Sequence, residues 1–132
     1  MELFLSGVLL QLGSLLGVGI DAVMATSRSD GRGAAATTVE DMQIVAASGR
    51  FASTVNRWVT TALPPNIQLH LGQVVKNRES VYRTRYSVVY FTSRRYRTTV
   101  VYIETERQLD PIDHNLIRLF CSNASIGLDN LN

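Results

Sequence analysis

The sequence predicts an α+β domain in which helices at the two ends of the chain flank an antiparallel sheet. Two observations favour this class. Apolar residues recur at helical spacing in the first and last segments, whereas the central segments are rich in Val, Tyr and Thr, as strands are. The 132 residues suffice for one domain, and a content of 45% hydrophobic and 18% charged residues is typical of a globular chain.

A helix is predicted over about residues 2–17. Leu5, Val8, Leu12 and Leu15 step by three and four residues, which is a heptad-type spacing. Further leucines widen the apolar surface to other sides of the helix. Because a helix that is apolar on more than one face needs two partners, we expect one to be the sheet and the other to be a second copy of the chain.

The same segment is apolar enough to be compared with a signal peptide or a membrane span. Glu2 precedes it where a signal peptide would carry positive charge, no A-x-A cleavage site follows, and Gln11 lies inside it. The single cysteine, Cys121, cannot form an internal disulfide and fits a reducing compartment. We therefore predict a buried helix in a cytoplasmic protein, with no membrane partner.

Two strands are predicted next, over residues 20–26 and 40–48. The Gly-, Ser- and Ala-rich stretch 27–38 between them has no apolar period, so a hairpin with a mobile loop is expected. Residues 50–63 are compatible with a helix or with irregular structure. Residues 66–78 have both helical and alternating spacing, and Pro65 at a first helical position favours a helix there.

Two longer strands are predicted over residues 80–92 and 96–106, flanking the turn Ser93-Arg94-Arg95. Near their middles both strands are apolar on successive residues, which indicates that both faces of the sheet are covered. The predicted order of the four strands is 2-1-4-3, with the terminal helices packed together on one face.

The last helix is predicted to begin at Asp110 as N-cap, with Pro111 at the first helical position and Asp113 two residues further on. Its apolar residues step by four and three along one seam, while Leu116, Leu119, Phe120 and Ile126 lie outside that seam and are expected to reach the sheet. Combined with the first helix, the predicted dimer seam comprises Leu5, Val8, Leu12, Leu15, Ile117, Cys121, Ala124, Leu128 and Leu131.

These features resemble a known family. The element order resembles that of a GAF domain. The segments LFLSGVLLQLGSLLGVGIDAV (3–23), ASGRF (47–51) and LDPIDHNLIRLFCSNASIGLDNL (109–131) look like the GAF-like domain of bacterial response regulators that lies between a receiver and an HD-GYP phosphodiesterase domain. The resemblance implies one regulatory domain over residues 1–132, excised from a longer chain. The last helix, which has no Gly, Pro, Lys or Arg at its end, agrees with that expectation.

The function implied by this resemblance is non-catalytic signal relay from a receiver to a cyclic di-GMP phosphodiesterase through a dimeric helical bundle. Two departures bear on ligands. The Asn-Lys pair of GAF domains that bind cyclic nucleotides is absent, because the one lysine, Lys76, follows a valine. Cys121 lies on the predicted seam and not in a pocket, so the resemblance to pigment-binding GAF domains fails there. We expect no cofactor.

Two alternatives remain open from the residues. A small-molecule pocket would lie between the sheet and the helical region 50–78, and its lining would be Trp58, His70, Tyr86, Tyr90 and Tyr102. A protein-docking patch would use the basic hairpin through Arg83, Arg85, Arg94, Arg95 and Arg97, since residues 80–103 contain no acid.

Catalytic, metal and nucleic-acid functions are disfavoured by the same residues. The two histidines, the one cysteine and the scattered acids have no metal-ligand spacing. No nucleophile with a neighbouring base is apparent, so we expect no enzyme activity. Arginines alternate with tyrosines as in single-strand binding platforms. However, no RNA-binding signature accompanies them and the net charge is only +2, so we do not expect nucleic acid as a partner.

Overall fold

The computed structural model describes residues 7, 9, 11–14, 21–27, 38–92, 98–105 and 108–130, without the side chains of 124, 125 and 127–130. These residues form an α+β fold built on one five-stranded antiparallel sheet. The tip of the first predicted hairpin and the turn Ser93-Arg94-Arg95 lie outside the described residues.

The strands are short and the last helix is long. The strands are β1 Asp21–Ser27, β2 Met42–Ser48, β3 Val81–Tyr82, β4 Tyr86–Thr92 and β5 Thr98–Glu104. The helices are α1, helical at residues 7, 9 and 11–14, α2 Val59–Ala62, α3 Pro65–Asn77 and α4 Pro111–Asn130, with 3₁₀ turns at Val39–Asp41 and Gly49–Thr54.

The strand order is β2-β1-β5-β4-β3, which corrects the predicted order 2-1-4-3. The difference arises because the segment predicted as one strand over 80–92 is two strands. The chain reverses between them, where the Arg83 N–H donates to the Tyr86 carbonyl at 2.8 Å. No Gly or Pro marks this turn, so the usual turn residues are missing from the sequence at this point.

Both faces of the sheet are covered, as the apolar strand centres predicted. Val89, Val101 and Ile103 face the layer that contains α1 and α4, where Leu9 and Leu12 of α1 join Ile117 and Phe120 of α4 in one buried cluster. The alternate residues Val88, Val100 and Tyr102 face α2 and α3, with Ile67 and Leu71. Both terminal helices thus pack on one face of the sheet.

Halfway along β2, a β-bulge changes which face of the sheet the following side chains point to. Met24 of β1 pairs with Ala46, but the next residue, Ala25, pairs with Ile44, so Val45 is an extra residue. Strict alternation would put Ile44 and Ala46 on the same face. Because of the bulge, Ile44 belongs to the α3 layer and Ala46 to the α4 layer.

The ends of α3 and α4 follow their sequence signals. Pro65 stands at the start of α3, as predicted, and the helix ends at Arg78 in the left-handed conformation, with φ of 54°. At the start of α4 the Asp113 N–H donates to Asp110 Oδ1 at 2.9 Å and the Asp110 N–H donates to Asp113 Oδ2 at 3.0 Å. The predicted N-cap is therefore confirmed as a reciprocal capping box.

The rotational setting of α4 differs from the predicted one. Ile117 and Cys121, assigned to an outward seam, are 0% and 4% exposed because they pack against the sheet. Leu12 of α1 is likewise buried in that cluster. Leu119 and Ile126, expected to reach the sheet, are exposed. The three seam residues that the structure describes, Leu12, Ile117 and Cys121, therefore lie on the intramolecular face.

The other seam residues cannot be placed. Leu5, Val8, Leu15 and Leu131 lie outside the described residues, as do the side chains of Ala124 and Leu128. Among the helices in the described part of the chain, none has the length and apolar content needed to cross a membrane.

Candidate functional site

Three exposed apolar side chains form a line on the outer face of α4. Ile112, Leu119 and Ile126 are 70%, 63% and 58% exposed, and each is seven residues from the next. Seven residues make nearly two helical turns, so the three side chains lie on nearly the same side of the helix. We call them the outer line of α4. Their heptad spacing is visible in the sequence. The prediction nevertheless assigned Leu119 and Ile126 to the side of the helix that faces the sheet.

A row of rings crosses the opposite face of the sheet, under α3. His70 of α3 stacks on Tyr86 of β4 with centroids 4.3 Å apart, and the Tyr86 hydroxyl lies 3.2 Å from His70 Nδ1. Tyr86 stacks on Tyr102 of β5 at 5.8 Å, and Tyr102 meets the edge of Phe51 at 6.0 Å. Each ring contacts the next, so the row couples α3 through two strands to the 3₁₀ turn that contains Phe51.

The row ends at an ion pair formed by Arg50. The Arg50 guanidinium donates to both oxygens of Glu104, from Nε to Oε1 at 3.0 Å and from Nη2 to Oε2 at 2.6 Å. It also lies over the Phe51 ring at 4.3 Å, and the Arg50 backbone N–H donates to Asp21 Oδ1 at 2.9 Å. The turn that follows β2 is thereby fixed to the end of β5.

The charges of this ion pair shift the neighbouring pKa values. Partial burial raises the pKa of the Glu104 carboxyl, but hydrogen bonds from Arg50 and Tyr102 and the Arg50 charge lower it by more, so its pKa lies below the ordinary value. Burial and the 2.7 Å hydrogen bond that Tyr102 donates to Glu104 Oε2 raise the pKa of Tyr102. Glu104 is thus held ionised as the common acceptor of Arg50 and Tyr102.

Sequence reasoning did not identify this ion pair, although a signal for it existed. Asp21 opens β1 and Glu104 closes β5, and the two strands are antiparallel neighbours. Like charges at paired positions destabilise a sheet unless a cation lies between or beside them. Arg50, inside the quoted segment ASGRF, was a candidate for that cation.

The five residues predicted to line a small-molecule pocket are only partly brought together. His70, Tyr86 and Tyr102 form the row, and their rings fill the space between them. Tyr90 lies on the same face of β4 and packs against the α3-side cluster. Trp58 is bridged to Gln43 of β2, which is separated from β4 by two strands, so the structure does not bring it together with the other four.

The space left beside the row is small. A cleft of about 100 Å³ remains next to His70 and Tyr86, with Gln73, Asn77 and Arg83 among its lining residues. Sites for drug-sized ligands usually have volumes of about 300–1,000 Å³. The cleft can hold a few water molecules or a small ion, but not a nucleotide.

The predicted docking patch is described only at one end. Arg83 and Arg85 are exposed in the turn between β3 and β4, whereas Arg94, Arg95 and Arg97 lie outside the described residues. Within the described ranges, no group of three or more His, Cys, Asp or Glu side chains could hold a metal ion.

Cys121 is buried in the α4 layer, and burial raises the pKa of its thiol to about 12. A thiol with that pKa is almost fully protonated near neutral pH and is a poor nucleophile.

Comparisons with known proteins give one finding. No curated protein and no solved structure matches the chain. A family model described as "Domain of unknown function (DUF3369)" matches residues 1–132. Since this match covers the full length of the sequence, the protein belongs to the DUF3369 family.

Proposed function

We propose that this domain is a non-catalytic relay of a bacterial response regulator. It would couple a receiver to a cyclic di-GMP phosphodiesterase in the parent chain, and would do so as a dimer whose α4 helices pack together. The neighbouring domains in this proposal come from the resemblance of the chain's end segments to the GAF-like domain of such regulators.

The observation that carries the proposal is the outer line of α4. Three large apolar side chains stand exposed at heptad spacing on one helix, and parallel helix pairs bury apolar residues that recur at this spacing. The predicted dimer is thus retained, but its contact moves from Ile117 and Cys121 to Ile112, Leu119 and Ile126.

The same helix can transmit a displacement. At 20 residues, α4 is about 30 Å long, and its first turn is held by the capping box. Its inner side is packed on the sheet through Ile117 and Phe120. A displacement at either end of α4 would therefore move the whole helix relative to the α4 of the second copy. Helix shifts at subunit interfaces are a common form of signalling transition.

Sensing of a small molecule is the second candidate, and it has less support. Three of its five predicted pocket residues, His70, Tyr86 and Tyr102, contact one another in the ring row, and the neighbouring cleft of about 100 Å³ is small for a metabolite. A packed row supports mechanical coupling better than ligand binding.

The test of the dimer replaces Leu119, whose matched control is Leu69 of α3. The two leucines are 63% and 61% exposed, so Leu119→Glu and Leu69→Glu introduce the same charge at similarly exposed helical sites. We expect sedimentation analysis at about 100 μM to give a dimer for the wild type and for Leu69→Glu, and a monomer for Leu119→Glu. A monomeric wild type would refute the dimer.

The relay itself is tested in the full-length parent. Leu119→Glu and Ser125→Pro should each remove the response of phosphodiesterase activity to receiver phosphorylation, the first by separating the helices and the second by breaking α4. Leu69→Glu should leave the response intact. A normal response in Ser125→Pro would rule out transmission along α4.

A further inference from the structure

A groove between α4 and the outer edge of the sheet has the size of a small-molecule site. It lies on the face of the sheet opposite the ring row and has a volume of about 640 Å³, whereas such sites usually have volumes of about 300–1,000 Å³. We call it the α4–β4 groove. Its described lining combines apolar, hydroxyl and charged side chains and includes Glu79, Tyr82, Val89, Phe91, Arg118 and Ser122.

The floor of the groove is apolar and belongs to β4. The short strand β3 pairs with β4 no further along than Val88. Beyond that point the Tyr90 N–H donates to the Ser80 hydroxyl at 2.8 Å, so a side chain takes the place of a strand. At this outer edge Val89 and Phe91 face the α4 layer, and they supply an apolar surface for a ligand.

The described lining carries one charge of each sign. Arg118 of α4 is its one cation, and Glu79, between α3 and β3, is its one carboxylate. Both side chains are exposed. Among the ion pairs of the described residues, none joins Arg118 to Glu79. Two opposite charges that border the same groove without pairing are complementary to a ligand that itself carries both charges.

Tyr82 holds Arg118 at the wall of the groove. The Tyr82 ring stacks on His114 with centroids 4.1 Å apart, and the Tyr82 hydroxyl shares a hydrogen bond with Arg118. His114 and Arg118 are four residues apart on α4 and therefore lie on the same side of the helix. Because a guanidinium has five N–H donors in a planar fork, Arg118 can bind a carboxylate in addition to Tyr82.

We infer that the α4–β4 groove binds a free α-amino acid with an apolar side chain, in its zwitterionic form. The carboxylate of this ligand would pair with Arg118 and its ammonium group with Glu79. Its side chain would lie on Val89 and Phe91. A ligand with a single charge would leave one of the two protein charges without a partner, so the groove favours the zwitterion.

This site is distinct from the proposed dimer contact. Ile126 belongs to the outer line of α4 and also borders the groove, but neither the two charged contacts nor the strand floor involves it. Leu119 is not among the residues that line the groove. Binding of the amino acid is therefore expected in the monomer as well as in the dimer.

Four compounds test the site by isothermal titration calorimetry of the wild-type protein. L-Phenylalanine carries all three recognised groups. Phenylpropionate lacks the ammonium group, phenylethylamine lacks the carboxylate, and glycine lacks the apolar side chain. We expect L-phenylalanine to bind with a Kd below about 1 mM. Each of the other three should bind at least about tenfold more weakly, because one contact is missing.

Three variants identify the contact that each group makes. Arg118→Gln should weaken binding of L-phenylalanine at least about tenfold but should not weaken that of phenylethylamine, which has no carboxylate. Glu79→Gln should weaken L-phenylalanine to a similar extent but should not weaken phenylpropionate, which has no ammonium group. Ser122→Trp, which fills the groove, should weaken binding of all three compounds.

The matched controls are Arg57→Gln, Glu40→Gln and Ser53→Trp, at exposed positions that do not line the groove. They should keep the affinity for L-phenylalanine within about twofold of wild type. Leu119→Glu, which is designed to separate the dimer, should do the same. Failure of the dimer and failure of the binding site therefore give different results.

Any of four results would overturn the amino-acid site. The first is a Kd for L-phenylalanine above about 1 mM. The second is an equal affinity for L-phenylalanine and any one of the three analogues. The third is an unchanged affinity for L-phenylalanine in Arg118→Gln or in Glu79→Gln. The fourth is loss of binding in Leu119→Glu, because the site would then require a second copy of the chain.

Discussion

The setting of α4 on the sheet can be tested by comparing two neighbouring truncations, Ile117→Ala and Leu119→Ala. Ile117 is 0% exposed in the cluster between α4 and the sheet, whereas Leu119 is 63% exposed. If α4 sits as described, Ile117→Ala lowers the free energy of unfolding strongly and Leu119→Ala hardly changes that of the monomer. The predicted seam, with Ile117 facing a second copy, would reverse this ranking in dilute solution.

The expected magnitude follows from what Ile117→Ala removes. About three buried carbon groups are lost, which at about 0.8 kcal/mol each is a transfer term of about 2.5 kcal/mol. The cavity left against Phe120 adds to it, for a total of about 2–5 kcal/mol. For 132 residues this lowers Tm on the order of 10 °C. Leu119→Ala should change the monomer by less than about 0.5 kcal/mol.

The assay is urea unfolding followed by far-UV circular dichroism, at two protein concentrations about tenfold apart, both below the level at which the wild type dimerises. Equal free energies of unfolding at the two concentrations would show that the values belong to the monomer and contain no contribution from association. A destabilisation by Leu119→Ala equal to or larger than that by Ile117→Ala, at both concentrations, would show that the rotational setting of α4 is wrong.

Three further predictions concern the ion pair, the helix cap and the thiol. Glu104→Gln should lower the free energy of unfolding by about 0.5–1 kcal/mol at neutral pH, because Arg50 is half exposed. The folded pKa of Glu104 lies below its ordinary value of 4.5. In urea titrations the difference in free energy of unfolding between wild type and Glu104→Gln should therefore be fully present above pH 4.5 and vanish as pH falls through the folded pKa. A difference that persists in acid would contradict the pairing. Asp110→Ala should cost about 1 kcal/mol in thermal unfolding through loss of the cap, with exposed Asn115→Ala as the neutral control. Cys121, whose thiol pKa burial raises to about 12, should react with a thiol reagent at mildly alkaline pH only when urea unfolds the chain, and a rapid reaction of the native protein would place it at the surface.

Much of the fold could be predicted because its elements carry local signals. Pro65 marks the start of α3, and Asp110 marks the start of α4. The doubly apolar centres of β4 and β5 indicate a sheet covered on both faces. These signals depend on residues close together in the chain, where backbone chemistry decides the structure.

The features that escaped prediction depend on contacts between distant residues. The rotation of α4 is set by which of two apolar stripes fits the sheet, and both have heptad spacing, so periodicity alone cannot choose between them. The break between β3 and β4 lacks a Gly or Pro. The Arg50–Glu104 pair joins residues 54 positions apart, and their proximity follows only once β1 and β5 are known to be neighbours.

The extra residue Val45 has a consequence for how the sheet avoids mispairing. β2 is an outermost strand of the described sheet, where slippage by one position is easiest. A slip by one residue would move Ile44 into the α4 layer and Ala46 into the α3 layer, where each would replace a side chain of different size. The bulge would also have to move along the strand. The one extra residue in β2 therefore holds this edge strand in a single register along β1.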